Sequence, residues 1–232
     1  MKSSHSEFID LDALQVKRRA QSEGVTEAQL TDVDPPTAAG RLLGATLWAG
    51  DVAVRVVEVE AYGSDPSGPW PDSAAHSYPG RTARNAVMFG PAGRLYVYLS
   101  YGMHNCINVT CGRDGDAGAV LLRAGEVIEG IDVARVRRPT ARRDADLGKG
   151  PGNLGKVLGI SLADYGTRLF DEDSPVRVQL QSVDTWLTGP RVGVSTEAER
   201  PWRLWLPDSP AVSAYRRSPR APSGPDAGRS MP

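Results

Sequence analysis

Glu58 and Glu60 stand two residues apart in VAVRVVEVEAY, residues 52–62, a run rich in β-branched residues that reads as a strand. Side chains alternate along a strand, so both carboxylates and Tyr62 face the same way. Like charges at that spacing conflict if both are buried, so one is expected to reach water, Arg55 or another arginine. Glu60 ends an apolar strand beside Tyr62, where a desolvated carboxylate could serve as a general base; a salt-bridged edge glutamate is the plainer reading.

A second concentration of chemistry lies in LYVYLSYGMHN, residues 95–105, which holds Tyr96, Tyr98 and Tyr101 in a chain with only seven tyrosines. Tyr96 and Tyr98 share one face of a strand, and Tyr101 precedes Gly102, where the chain can turn. That pattern gives a two-ring floor and one ring on a tip, or simply an aromatic face in a sheet core. His76 sits in SAAHSYPGRTARN, a Pro/Gly-bounded loop that also carries Arg81 and Arg84. With only His5 and His104 as further histidines, no convincing metal set appears. No G-x-S-x-G elbow is present, and Cys106 and Cys111 fall within one expected strand, pointing opposite ways. They read as reduced packing residues rather than a disulfide, a metal clamp or a nucleophile.

The elements that must position these residues follow from patterning. Asp34 is an N-cap with Pro35 at the first helical position and Gly44 as the stop, giving about two turns of helix. Residues 94–100 and 105–111 read as strands joined through YGMH in a hairpin, and 119–124 as another strand. GEVIEGIDVARVRR, residues 125–138, reads as a helix whose basic end suits its dipole and which Pro139 stops. GKGPGNLGKVLGI, residues 148–160, is a Gly-rich turn entering a helix at Pro151; its amides could hold an anion, without Walker spacing. Short strands are expected around 176–181, 191–195 and 202–206.

With 232 residues and 40% apolar content the chain is long enough for one large domain with a real core. It carries 27 basic against 28 acidic groups, so a strongly basic overall footprint is absent. The imbalance is local, because residues 1–34 hold four basic and seven acidic groups, which leaves a mildly basic body. Nearly all the cations are arginines, which suit bidentate phosphate contacts, although a GC-rich genome gives the same bias. No apolar run approaches the ~20 residues of a membrane span, and MKSSHSEFID lacks a signal core, so a soluble, cytoplasmic protein is expected. Residues 1–30, with a short amphipathic helix over 7–22, read as a weakly attached extension, 31–215 as the domain, and 216–232 as a disordered tail.

The ordered set VEVEAY, AAHS, PGRTARN, LYVYLSYGMHNCINV, VLLRA, GPGNLGKVLGI and RVGVS closely resembles the alkyladenine (3-methyladenine) DNA glycosylase family over about residues 30–213. The resemblance implies a single α+β domain with a curved, open-barrel-like antiparallel sheet, peripheral helices and a protruding β-hairpin. It implies a monomeric, bacterial, nucleoid-associated repair enzyme without metal or cofactor, which excises alkylated or deaminated purines such as 3-methyladenine or hypoxanthine from double-stranded DNA. In that family the positions of Glu60 and Arg123 serve the attacking water. Those of Tyr62, Tyr98 and His76 hold the flipped purine, and that of Asn108 screens against the exocyclic amine of guanine. Tyr101 matches the residue that fills the gap left in the helix. Met103, His104, Arg81, Arg84 and Lys149 are the expected further DNA contacts. No lysine lies near the motifs, so simple hydrolysis is expected rather than Schiff-base lyase chemistry.

The chain departs from the family pattern in the long 63–75 loop around Trp70, in His104 after Y-G-M, and in Asn153, where many members carry lysine after G-P-G. Two rival readings are a non-catalytic damage sensor built on the same hairpin, and a carbohydrate hydrolase. The first leaves Glu60 and Arg123 without a task; the second needs a partner carboxylate across the sugar, and none is identifiable.

Overall fold

The computed structural model describes residues 27–222. The helix expected over 7–22 lies outside them. Nine strands form one antiparallel sheet: β1 Thr46–Ala49, β2 Val52–Tyr62, β3 Leu95–Ser100, β4 His104–Thr110, β5 Ala119–Glu129, β6 Gly148–Lys149, β7 Val176–Gln179, β8 Leu187–Gly189 and β9 Arg203–Trp205. The main order is β3-β4-β5-β2-β1-β7. Among the described residues three helices accompany it, α1 Pro35–Leu42, α2 Ile131–Arg137 and α3 Pro151–Leu158, so the α+β class is as expected.

The sheet curls because β2 divides its free edge. Its first half pairs with β1 and residues 58–60 pair with β9, while the other edge runs along β5. Every β2 residue from Val52 to Ala61 is buried except Arg55, so the strand is covered on both faces and shows no apolar/polar alternation. Around Glu58 the β2–β5 register runs Val56↔Gly125, Glu58↔Ala124, Val59↔Leu122. Val57 is thus passed over on one strand and Arg123 on the other. Two opposed bulges cancel in register and re-aim the side chains between them. The Val57 carbonyl accepts instead from the Leu206 amide at 3.0 Å.

Helix α1 begins as expected: the Asp34 carboxylate accepts from the Thr37 amide at 2.8 Å, and Ala38, Ala39 and Leu42 are buried against the sheet. Leu30, assigned by pattern to the weakly attached extension, is fully buried, so the packed chain reaches back into that segment. The helix expected over 125–138 is corrected. Residues 125–129 continue β5, pairing with β2 as far as Glu129, and the helix starts only at Ile131. Gly130 makes the change of direction at φ +72, where a Cβ would lie 2.0 Å from the Asp51 carbonyl. Strand pairing over eleven residues outweighs the local helical pattern. The strand expected at 191–195 is also corrected: β8 lies at Leu187–Gly189, and 191–195 is loop.

Strands β3 and β4 form the hairpin, with Ser100 opposite His104 and Tyr101-Gly102-Met103 as the connection. Helix α3 lies directly on β4, because a Cβ at Gly155 would fall 2.1 Å from the Asn105 carbonyl. A glycine inside a helix costs about 1 kcal/mol, and close docking offsets it here. Cys106 and Cys111 are free and buried, as expected of packing residues, and burial raises both thiol pKa values. Among the described residues no helix is long and apolar enough to cross a membrane.

Candidate active site

The curl brings β2 and the hairpin onto one cavity of ≈ 700 Å³, although β5 separates them in the sheet. Tyr62, His76, Arg84, Tyr98, Tyr101, Asn108 and Arg123 all line it. Another cavity, ≈ 580 Å³ between α1 and residues 180–188, has Arg41 as its sole charged lining residue among the described residues and contains none of the expected site residues.

The floor is aromatic. Tyr96 and Tyr98 lie side by side with ring centroids 5.6 Å apart, and His76 meets Tyr98 edge-on at 4.6 Å. Tyr96 is buried and bonds His76 Nδ1 through its hydroxyl at 2.9 Å, so it orients the imidazole besides packing. Although His76 is exposed overall, desolvation where it lines the cavity, and then the nearby Arg84 charge, lower its pKa and keep the ring neutral at pH 7. Burial pushes the Tyr96 phenol up to about 12 and raises that of Tyr98 further, so both keep their protons. Buried Asn85 ties the histidine loop down, giving its amide to the His76 carbonyl at 2.8 Å and the Gly80 carbonyl at 3.0 Å. Asn108, on β4, points its amide at the Tyr96 carbonyl at 3.1 Å.

Glu60 lies fully buried behind the wall made by Tyr62, Arg123 and Val192. Its Oε2 accepts from Tyr62 Oη at 2.8 Å and Arg123 Nη1 at 3.2 Å, and its Oε1 from the Val192 amide at 2.6 Å. A carboxylate offers about four acceptor sites, so these three donors leave Oε1 able to take another. One of Glu58 and Glu60 is expected to reach water, Arg55 or another arginine; Glu58 is fully buried too, and it is other arginines that it reaches. Arg55 is not its partner; Arg123 at 3.0 Å and Arg203 at 2.6 Å are. Burial works against the Arg123 charge, but Glu60 and then Glu58 outweigh it and raise its pKa. Behind Tyr62, the Arg191 guanidinium lies 4.7 Å from the ring centroid and pairs through two nitrogens with Asp72 at 2.6 and 2.8 Å.

Tyr101 is the outlier. Its ring is 92% exposed on the hairpin turn and its backbone is left-handed, φ +49, a region that disfavours a bulky residue. Met103 and His104 are exposed beside it. Arg81 is exposed outside the cavity lining, and Lys149 Nζ donates to the Pro210 carbonyl at 2.9 Å, also outside it. No group of acidic, histidine or cysteine side chains among the described residues could hold a metal ion.

Residues 29–210 match the model of the methylpurine-DNA glycosylase (MPG) family. The chain belongs to the methylpurine-DNA glycosylase family. It is 72% identical over 193 residues to a Nocardia farcinica protein named as a candidate 3-methyladenine DNA glycosylase, covering 82% of this chain and 91% of the relative. Proteins of the same name from Rhodococcus jostii and Mycobacterium leprae are 59% and 58% identical, with 88% and 89% of this chain covered against 91% and 96% of theirs. As a methylpurine-DNA glycosylase family member, the chain carries every expected site residue inside the matched span. Val192, Arg191, Asp72 and Arg203, which patterning did not single out, lie inside it too, whereas Ser213 lies beyond its end.

Proposed function

We propose that this chain is a monofunctional, monomeric glycosylase that hydrolyses the N-glycosidic bond of alkylated or deaminated purines flipped out of duplex DNA, with Glu60 as general base. The observation that carries the reading is Glu60 itself: a fully buried carboxylate, fixed by three donors with one acceptor position spare, directly behind the residues that wall an aromatic cavity. A water bound at Oε1 gives its proton to the carboxylate as its oxygen attacks C1′. The C1′–N bond breaks and its electron pair leaves with the purine. The ionised carboxylate also faces the positive charge that develops on the sugar. An N3-alkylated adenine, already cationic, leaves as a neutral base, while a neutral lesion must gain a proton as it departs.

Tyr62, Tyr98 and His76 hold the extrahelical purine, and Asn108 narrows the space near its exocyclic substituent. Tyr101 occupies the vacated position in the helix, which accounts for a ring kept exposed on strained backbone. Arg81, Arg84, Met103, His104 and Lys149 meet the backbone or groove. Among the described residues no lysine lines the cavity, which favours hydrolysis without a Schiff base.

The test is a duplex holding a single 3-methyladenine or hypoxanthine, incubated with the protein and EDTA. Free base and an intact strand bearing an alkali-labile site are expected. Tight lesion binding without base release from either duplex favours the non-catalytic damage sensor instead.

A further inference from the structure

Glu58 has no task in the chemistry above, yet its carboxylate is as completely buried as that of Glu60 and takes more donors. Oε1 accepts from Arg123 Nε at 3.0 Å, Arg203 Nε at 2.6 Å and Ser213 Oγ at 2.9 Å; Oε2 accepts from the Ser213 amide at 2.7 Å. Ser213 belongs to the segment after β9, and its hydroxyl also accepts from Arg123 Nη2 at 3.3 Å. The Arg123 guanidinium is thus divided: Nη1 serves Glu60, while Nε and Nη2 are taken by Glu58 and Ser213.

We propose that Glu58 is a positioning residue for base excision: by holding the Nε edge of Arg123 it limits that arginine to one contact with Glu60, and together with Arg203 it sets the charge balance in which Glu60 works. The inference rests on Glu60 being the general base. A guanidinium is a fork built for bidentate carboxylate pairing. Released from Glu58, Arg123 can turn both prongs onto Glu60 and fill the acceptor position that water needs. The Glu58 charge matters as well as its shape. Facing Glu58 are Arg123 from β5, Arg203 from β9 and the uncharged Ser213. Facing Glu60 are Arg123, the neutral phenols of Tyr62 and Tyr98, and Arg191, whose own charge Asp72 answers. Three arginines and three carboxylates therefore cancel. Glu58→Gln leaves a surplus positive charge beside Glu60, and Arg203→Gln a surplus negative one.

The experiment is single-turnover excision against pH, with saturating protein and a cationic N3-methyladenine duplex so that no leaving-group protonation enters the profile. Glu58→Gln is expected to lower the plateau rate at least ~10-fold and to move the acid limb down by on the order of one pH unit, as an added opposite charge does to a nearby carboxylate. Arg203→Gln is expected to move the limb up. Lesion-duplex affinity should change little in either. The opposite signs distinguish this from simple damage to the fold, and if one variant does not fold, the sign in the other decides. An acid limb unmoved or moved the wrong way, with Glu60→Gln inactive, overturns the role of Glu58 alone. Near-normal excision by Glu60→Gln overturns the general-base reading and this inference with it.

Discussion

Tyr62 donates its phenolic hydrogen to Oε2 of Glu60 at 2.8 Å, from two residues further along the same strand. One side chain is therefore both a cavity wall and a support for Glu60. Burial, and then the neighbouring Glu60 charge, hold the Tyr62 pKa well above its ordinary value, so it remains a donor across the working pH range. Tyr62→Phe should keep ring stacking and lesion affinity but lower single-turnover excision by about 10- to 150-fold, the scale of a lost hydrogen bond to a charged group, about 1.5–3 kcal/mol. Equal excision by both forms would separate Tyr62 from the base.

Tyr101 sits in left-handed backbone while 92% exposed, so its ring does nothing for the core. Tyr101→Gly should leave thermal stability unchanged or raise it by up to about 1 kcal/mol. Excision should fall, most for a well-paired lesion and least for the same lesion opposite a mismatch, because flipping costs least where pairing is already poor. A marked loss of stability, or equal losses on both duplexes, would return Tyr101 to a structural role.

His76 gives a pH signature. Its pKa in the fold lies below the ordinary ~6.5, through partial desolvation at the cavity and then Arg84, so the unfolded chain binds its proton more readily. Its contribution to stability is full above about pH 6.5 and is lost as pH falls through the folded value. Melting temperature between pH 7.5 and 5.5 should drop less steeply in His76→Asn than in the wild type. Parallel curves would show that the imidazole does not titrate as its surroundings require.

Asp72 and Arg191 form an ion pair with both side chains fully buried, and Arg191 backs the Tyr62 ring. Asp72→Ala strands a buried cation and should cost about 3–5 kcal/mol in denaturant unfolding; Asp72→Leu with Arg191→Met should cost less, since no charge is left alone. A change under about 1 kcal/mol for Asp72→Ala would mean the pair is open to solvent.

The legible parts of the molecule were those whose signal is local. VAVRVVEVEAY spans β2 from end to end, Asp34 caps α1, and Tyr-Gly turns the hairpin, because β-branched runs, cap residues and glycines act within a few positions of themselves. Residues 125–129 misled because GEVIE is neutral between helix and strand until β2 is alongside. β1 was missed because Thr46–Ala49 is short and framed by glycines, and 191–195 forms no strand because Arg191 turns inward to Asp72. The site residues were reached through ordered motifs. Their supports were not: the Val192 amide meets Glu60 across 132 positions and Ser213 meets Glu58 across 155, and neither a backbone N–H nor a lone serine leaves a pattern in sequence.

The most direct test of the mechanism is Glu60→Gln, which preserves shape and the acceptor oxygen but removes the base. Single-turnover base release from a 3-methyladenine duplex under saturating protein, with lesion binding measured in parallel, should show intact binding and excision reduced by the ~10²- to 10⁴-fold of a general base. Wild-type excision by a folded, DNA-bound Glu60→Gln would contradict it and place the water's activation elsewhere.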